Sequence, residues 1–287
     1  MTEPWEAAVF AGVDLAAEPG RTGFARVQRT PQGRVVVEDA GCGLADEELI
    51  EMLSGISKAG IDVPFGWPAG FVEFLADHAL QQHSAPMAAD VRWRRGMVLR
   101  RTDQLVHQWC GLTPLSAAAD RIAYPALRWA AVEARLRDRG MDCQRDGTGR
   151  VCEAYPAAAL KVWQLPFRGY KRDVRLREDV VAGLNGRCAV DWNGYDSVCV
   201  SSDDALDAVI SALVAVEAAD GRTRVPTAVE EKDALTEGWI HVPFGGVAIV
   251  ADQCGESGSS GNSSELHLHL QAIDSLGNRR WSATSHR

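Results

Sequence analysis

The sequence predicts an α/β fold whose sheet is entered by a β-meander. Three short apolar or alternating runs, separated by Gly/Pro turn clusters, open the chain. Segments with helical spacing of apolar residues then alternate with further short apolar runs. Several of those runs stop at an acidic residue. The carboxyl end of a central strand is where an α/β sheet places catalytic and metal-binding groups.

Residues 7–14 are the expected leading strand. Val9-Phe10-Ala11-Gly12-Val13-Asp14-Leu15 is too short and apolar for an amphipathic helix, and Asp14 falls at its end. The turn cluster Glu18-Pro19-Gly20-Arg21-Thr22-Gly23 follows. On this stretch alone, Asp14 reads equally as a site carboxylate or as a cap on the turn. Residues 22–30 and 34–39 are the second and third strands, joined through Pro31-Gln32-Gly33. Residues 45–59 have helical spacing, with Leu49, Ile50, Leu53 and Ile56 on one face and Asp46 in the first turn. Gly60 reads as punctuation. Residues 61–64 form a short strand bearing Asp62, stopped by Pro64 and by Gly66-Trp67-Pro68.

Residues 68–82 read as a helix with proline in its first turn. Residues 102–110 suit a helix capped by Thr102 or Asp103. An amphipathic helix spans 124–139 and ends at Gly140. Residues 150–155 are a strand carrying Glu153, stopped by Pro156; 156–164 turns helical, as does 178–184. Residues 201–213 make a strong helix with a Ser/Asp start. Asp204 and Asp207 lie three apart on it, so they share a face. The helix dipole explains acids in the first turn, but it explains Asp207 less well, set among Ala, Leu, Val and Ile. A divalent metal or an arginine would offset such a pair.

Composition excludes some classes. Hydrophobic residues make up 46% and charged residues 24%, as in ordinary globular proteins. There is no apolar run near bilayer length, and the acidic start lacks the pattern of a signal peptide. Seven cysteines without a C-x-x-C pair suggest reduced thiols in a cytoplasm rather than a disulfide framework or a zinc site. The net charge of −9 hides segregation: residues 91–187 hold 19 Lys and Arg against 10 Asp and Glu. A basic middle section beside acidic flanks suits an anionic partner, although solvated helix faces account for most such clusters. After 251 the chain becomes rich in Gly and Ser, and 252–287 is expected to be a flexible tail. His267 and His269 in it are a remote metal-site candidate. No Walker-type loop or G-x-S-x-G elbow occurs.

Seven motifs occur in order: GVDLA at Gly12–Ala16, IDVPFGWP at Ile61–Pro68, RRTD at Arg100–Asp103, EAYPAA at Glu153–Ala158, GYK at Gly169–Lys171, DDALDAVISALVA at Asp203–Ala215 and EGWIHVP at Glu237–Pro243. In these the chain, from about 7 to 250, resembles the domain-of-unknown-function family 429, predicted nucleases of the ribonuclease H-like fold. The resemblance implies a mixed sheet, three antiparallel leading strands and then parallel ones, flanked by helices and carrying an acidic metal site. It makes Asp14 the metal-bridging ligand and Asp62 and Asp207 the next ligands. Asp204 and Glu153 are further candidates, as ligands, supporting groups or caps. Arg101 and Lys171 would grip phosphates or neutralise the carboxylates.

The chemistry is coherent. Phosphodiester hydrolysis needs an activated water and a stabilised leaving oxygen, and two divalent metals roughly 4 Å apart supply both. Mg²⁺ or Mn²⁺ prefers carboxylate oxygens. The expected function is therefore a metal-dependent nuclease acting on DNA or RNA. A non-catalytic nucleic-acid or protein binding module on the same fold is the first alternative. An actin-like, nucleotide-dependent kinase is the second, against which stands the sequence Leu15-Ala16-Ala17-Glu18 where a glycine-rich phosphate loop would follow Asp14.

Overall fold

The computed structural model describes residues 8–82 and 88–245. The expected tail at 252–287, its boundary near 251, and His267 and His269 lie outside the described residues. The strands are β1 (Val9–Asp14), β2 (Gly23–Arg29), β3 (Val35–Cys42), β4 (Lys58–Asp62), β5 (Val151–Glu153) and β6 (Val190–Asp191). The helices are α1 (Asp46–Ser54), α2 (Ala69–Ala79), α3 (Val91–Val98), α4 (Arg101–Cys110), α5 (Ala123–Asp138), α6 (Pro156–Val162), α7 (Val174–Cys188), α8 (Asp196–Ser201), α9 (Asp203–Ala219) and α10 (Glu231–Glu237). Among the described residues no helix is long and apolar enough to cross a membrane.

The strands form one mixed sheet in the order β5-β4-β1-β2-β3-β6. β1, β2 and β3 pair antiparallel, whereas β4 on β1, β5 on β4 and β6 on β3 are parallel. The fold is thus α/β, with the expected leading meander. Alternation along β1 divides the core. Ala11 and Val13 pack with α1 and α5, around Leu49, Leu53, Trp129 and Val132. Phe10 packs on the other face with α6, α7 and α9. There α9 crosses β1, β2 and β4, and it is buried from Ala205 to Glu217. A helix apolar all round belongs between a sheet and an outer layer.

Three local expectations need correction. The helix expected at 45–59 ends at Ser54, because Lys58 and Ala59 pair in register with Phe10 and Ala11 as part of β4. Gly60 is therefore a strand residue, not punctuation. Nor does Thr102 or Asp103 cap α4. That helix begins at Arg101, and the Asp103 carboxylate reaches back to accept the Arg100 N–H at 2.9 Å. The elements α3, α8, α10 and β6 were not anticipated. The last is two residues long, below what periodicity can register.

Candidate metal centre

Two strands end in the same pattern, Gly12-Val13-Asp14 and Gly60-Ile61-Asp62. Parallel pairing sets Gly12 beside Gly60 and Asp14 beside Asp62. Residues two apart on a strand share a face, so each aspartate points to the side its glycine faces. The glycines face α9. A Cβ on Gly12 would lie 1.9 Å from the Ala208 carbonyl oxygen, and one on Gly60 2.0 Å from that of Ser211. Gly23 on β2 is as tight, 2.0 Å from the Asp204 carbonyl. The helix backbone thus rides directly on the sheet and carries the fully buried Asp207 to the strand ends. One oxygen from each of Asp14, Asp62 and Asp207 lies within 4.8 Å of the others.

Asp207 is held from both sides. The Tyr170 hydroxyl donates to its Oδ1 at 2.7 Å, and Lys171 Nζ lies 2.5 Å from Oδ2. Gly169, at φ +83°, makes the turn that presents both side chains. Burial, then repulsion by Asp62 and Asp207, pushes the Asp14 carboxyl well above the usual range. Burial, opposed by Lys171 and reinforced by Asp207 and Glu153, lifts Asp62 to about 7. Asp207 is raised too, by burial, against the pull of Lys171 and Tyr170. Burial alone would lower the Lys171 ammonium, but Asp207, Asp14 and Asp62 hold it above its ordinary value. The cluster is short of positive charge.

The donor set fits Mg²⁺ or Mn²⁺. It consists of three carboxylates with no imidazole or thiolate, the hard-oxygen choice. Asp207 Oδ2 is buried, faces the Lys171 ammonium at 2.5 Å and accepts no other hydrogen bond among the described residues, so it keeps a lone pair for a cation.

The other expected site residues separate. Asp204 sits one turn earlier on α9, faces Arg21 at 3.6 Å and is outside the converging group. Glu153, at the end of β5, is 2% exposed and committed to a different charge. Arg100 Nη1 and Nη2 donate to its two oxygens at 2.8 and 2.7 Å, and the Phe65 N–H donates at 3.0 Å. Arg100 also binds Asp103 at 2.8 Å, so this buried arginine lies between two carboxylates. Lys171 reaches the cluster. Arg101 does not; it pairs with Glu230 at 3.1 Å.

Arg100 and Glu237 open two of the motifs, but the sequence assigned neither of them a role; the structure makes both supporting residues. Glu237 accepts the Ala69 and Arg101 N–H groups at 2.8 and 2.6 Å, satisfying the first amides of α2 and α4. Its backbone carbonyl accepts from Arg100 at 3.1 Å. The available signal for Arg100 was an acid three residues on, at Asp103, the spacing of a capping box at a helix start.

Residues 12–231 match the family model described as Protein of unknown function (DUF429). No curated protein and no solved structure gives a match. The matched span covers most of the chain and includes Asp14, Asp62, Glu153, Lys171 and Asp207. Six of the seven motifs fall inside the matched span, and this chain belongs to the DUF429 family.

Proposed function

We propose that the protein is a metal-dependent nuclease of ribonuclease H-like architecture, hydrolysing nucleic-acid phosphodiesters by a two-metal mechanism. The observation that carries this reading is the convergence of Asp14, Asp62 and Asp207 from two parallel strands and the helix laid across them. An antiparallel meander continued by parallel strands supports the architecture.

Asp14, next to Asp62 and raised by both neighbours, would be the central ligand of a bound cation, with Asp62 and Asp207 completing the set. Mg²⁺ or Mn²⁺ bound there would supply neutralising charge and the means to acidify a water. Tyr170 fixes the Asp207 carboxylate through Oδ1, so Oδ2 stays turned toward Lys171 and the cluster. Lys171, its side chain half-exposed, offers positive charge to a substrate phosphate. Glu153 acts through Arg100 to hold the end of β5.

A metal-titrated cleavage screen over single-stranded, duplex, hybrid and junction substrates tests the proposal. Asp14→Ala and Asp207→Ala should each abolish cleavage while nucleic-acid binding persists. Absence of cleavage on every substrate with Mn²⁺, or full activity in Asp14→Ala, would favour a non-catalytic binding module.

A further inference from the structure

Beside the carboxylates lies a cavity of ≈ 370 Å³, large enough for a small ligand. Asp14, Asp62 and Lys171 form part of its wall. Most of the rest is apolar: Val63, Pro64, Leu115, Ile122, Tyr155 and Ile240. Leu115 is 57% exposed, an apolar side chain facing solvent. The Arg100–Glu153 pair also borders the cavity, but those two groups satisfy one another. Among the described residues the Tyr155 hydroxyl has no hydrogen-bond partner.

A backbone phosphate track needs neither apolar walls nor a concavity. A flat aromatic group attached to the phosphate does. Resting on the nuclease reading, we propose that this cavity receives one unpaired nucleobase adjoining the scissile phosphate, so that the substrate is a single strand or a frayed end. Apolar walls take the π-face of any base, and Tyr155 offers a single polar contact at its edge. A duplex holds its bases stacked and cannot fill the cavity without extruding one. Cleavage of paired substrate is then slower by the cost of unstacking.

The test separates the cavity from the metal chemistry. Ala157→Trp fills the cavity from α6; Leu115→Asp puts charge on an exposed wall residue and spares the core. Each is made in the wild-type chain and in the full-length Asp14→Asn chain. In Asp14→Asn with chelator, anisotropy of a labelled single-stranded oligonucleotide should show affinity weakened roughly tenfold by either change, about the worth of one stacked base. An oligonucleotide of abasic residues should bind all of these chains alike. In the wild-type background with Mn²⁺, both changes should lower kcat/KM on the base-containing single strand yet leave cleavage of the abasic oligonucleotide, which has no ring to seat in the cavity, unchanged. Equal binding of the base-containing strand by filled and open chains overturns the cavity proposal, as does equal cleavage of duplex and single strand. If binding follows the cavity while neither the base-containing nor the abasic strand is hydrolysed, the nuclease reading fails and the base site stands.

Discussion

Replacing Asp62 by asparagine should make the metal-free protein more stable, by an amount set by pH. Burial, opposed by Lys171 and reinforced by the Asp207 and Glu153 carboxylates, lifts the Asp62 carboxyl from its ordinary 3.8 to about 7. Between those values the native state binds a proton that the unfolded chain has released, so wild-type stability falls as pH rises through the window. The penalty grows by about 1.4 kcal/mol per pH unit and levels off near pH 7 at about 4 kcal/mol. Pairwise repulsion is of the same order: two charges at 4.8 Å repel by about 3.5 kcal/mol at an effective dielectric of 20. Asparagine keeps the shape and cannot ionise. With chelator present, its advantage should be small near pH 4, grow with pH and be flat above 7. At pH 8 it should reach on the order of 10 °C in Tm for a domain of this size. Differential scanning calorimetry across that pH range measures it directly. Saturating Mg²⁺ should reverse the order, since the wild type gains a ligand that the variant binds poorly. An advantage that ignores pH, or an asparagine variant less stable than wild type at pH 8 without metal, would refute the electrostatic account.

Mn²⁺ or Mg²⁺ at about a hundred times its Kd should stabilise the wild type by about 2.7 kcal/mol, and Asp14→Asn should lose most of that gain in a thermal-shift titration. A full gain in the variant would place the metal elsewhere, with His267 and His269 the next residues to replace. Gly12→Ala drives a Cβ into the α9 backbone, so it should cost at least the roughly 1–3 kcal/mol of ordinary overpacking and abolish the Mn²⁺ shift by displacing Asp207. Gly20→Ala, which meets nothing within 4 Å, is the control. Arg100→Met strands Asp103 and Glu153 in the interior and should lower stability by about 3–5 kcal/mol in urea denaturation; a smaller loss in the Arg100→Met, Glu153→Gln double variant would identify the uncompensated carboxylate as the cause.

Much of the site was legible in the chain itself. Asp14 and Asp62 were found because apolar strand runs and their breakers are local, and each acid stands at such a break. Asp207 stood out as a charge inside an apolar helical stretch. The repeated Gly-x-Asp pattern carried a further signal that periodicity cannot interpret. Gly60 looks like punctuation until α9 is laid on the sheet, and only then does its missing side chain acquire a reason.

Partner choice was decided by the tertiary structure. Glu153 has the same strand-end setting as Asp14 and Asp62, yet Arg100 enters from another element, 53 positions away, and claims it. Arg100 and Arg101 are chemically alike in sequence. The start of α4 buries the first against Glu153 and turns the second toward Glu230. Lys171, for which the sequence left phosphate grip and carboxylate neutralisation both open, meets Asp207 through a turn at Gly169. Strand ends and helix faces follow from the spacing of a few neighbouring residues, so the sequence alone determined where the acids stand. Pairing between charges depends on distance and burial after packing, and those quantities exist only once α9, β5 and the segment around Glu237 have closed on the sheet.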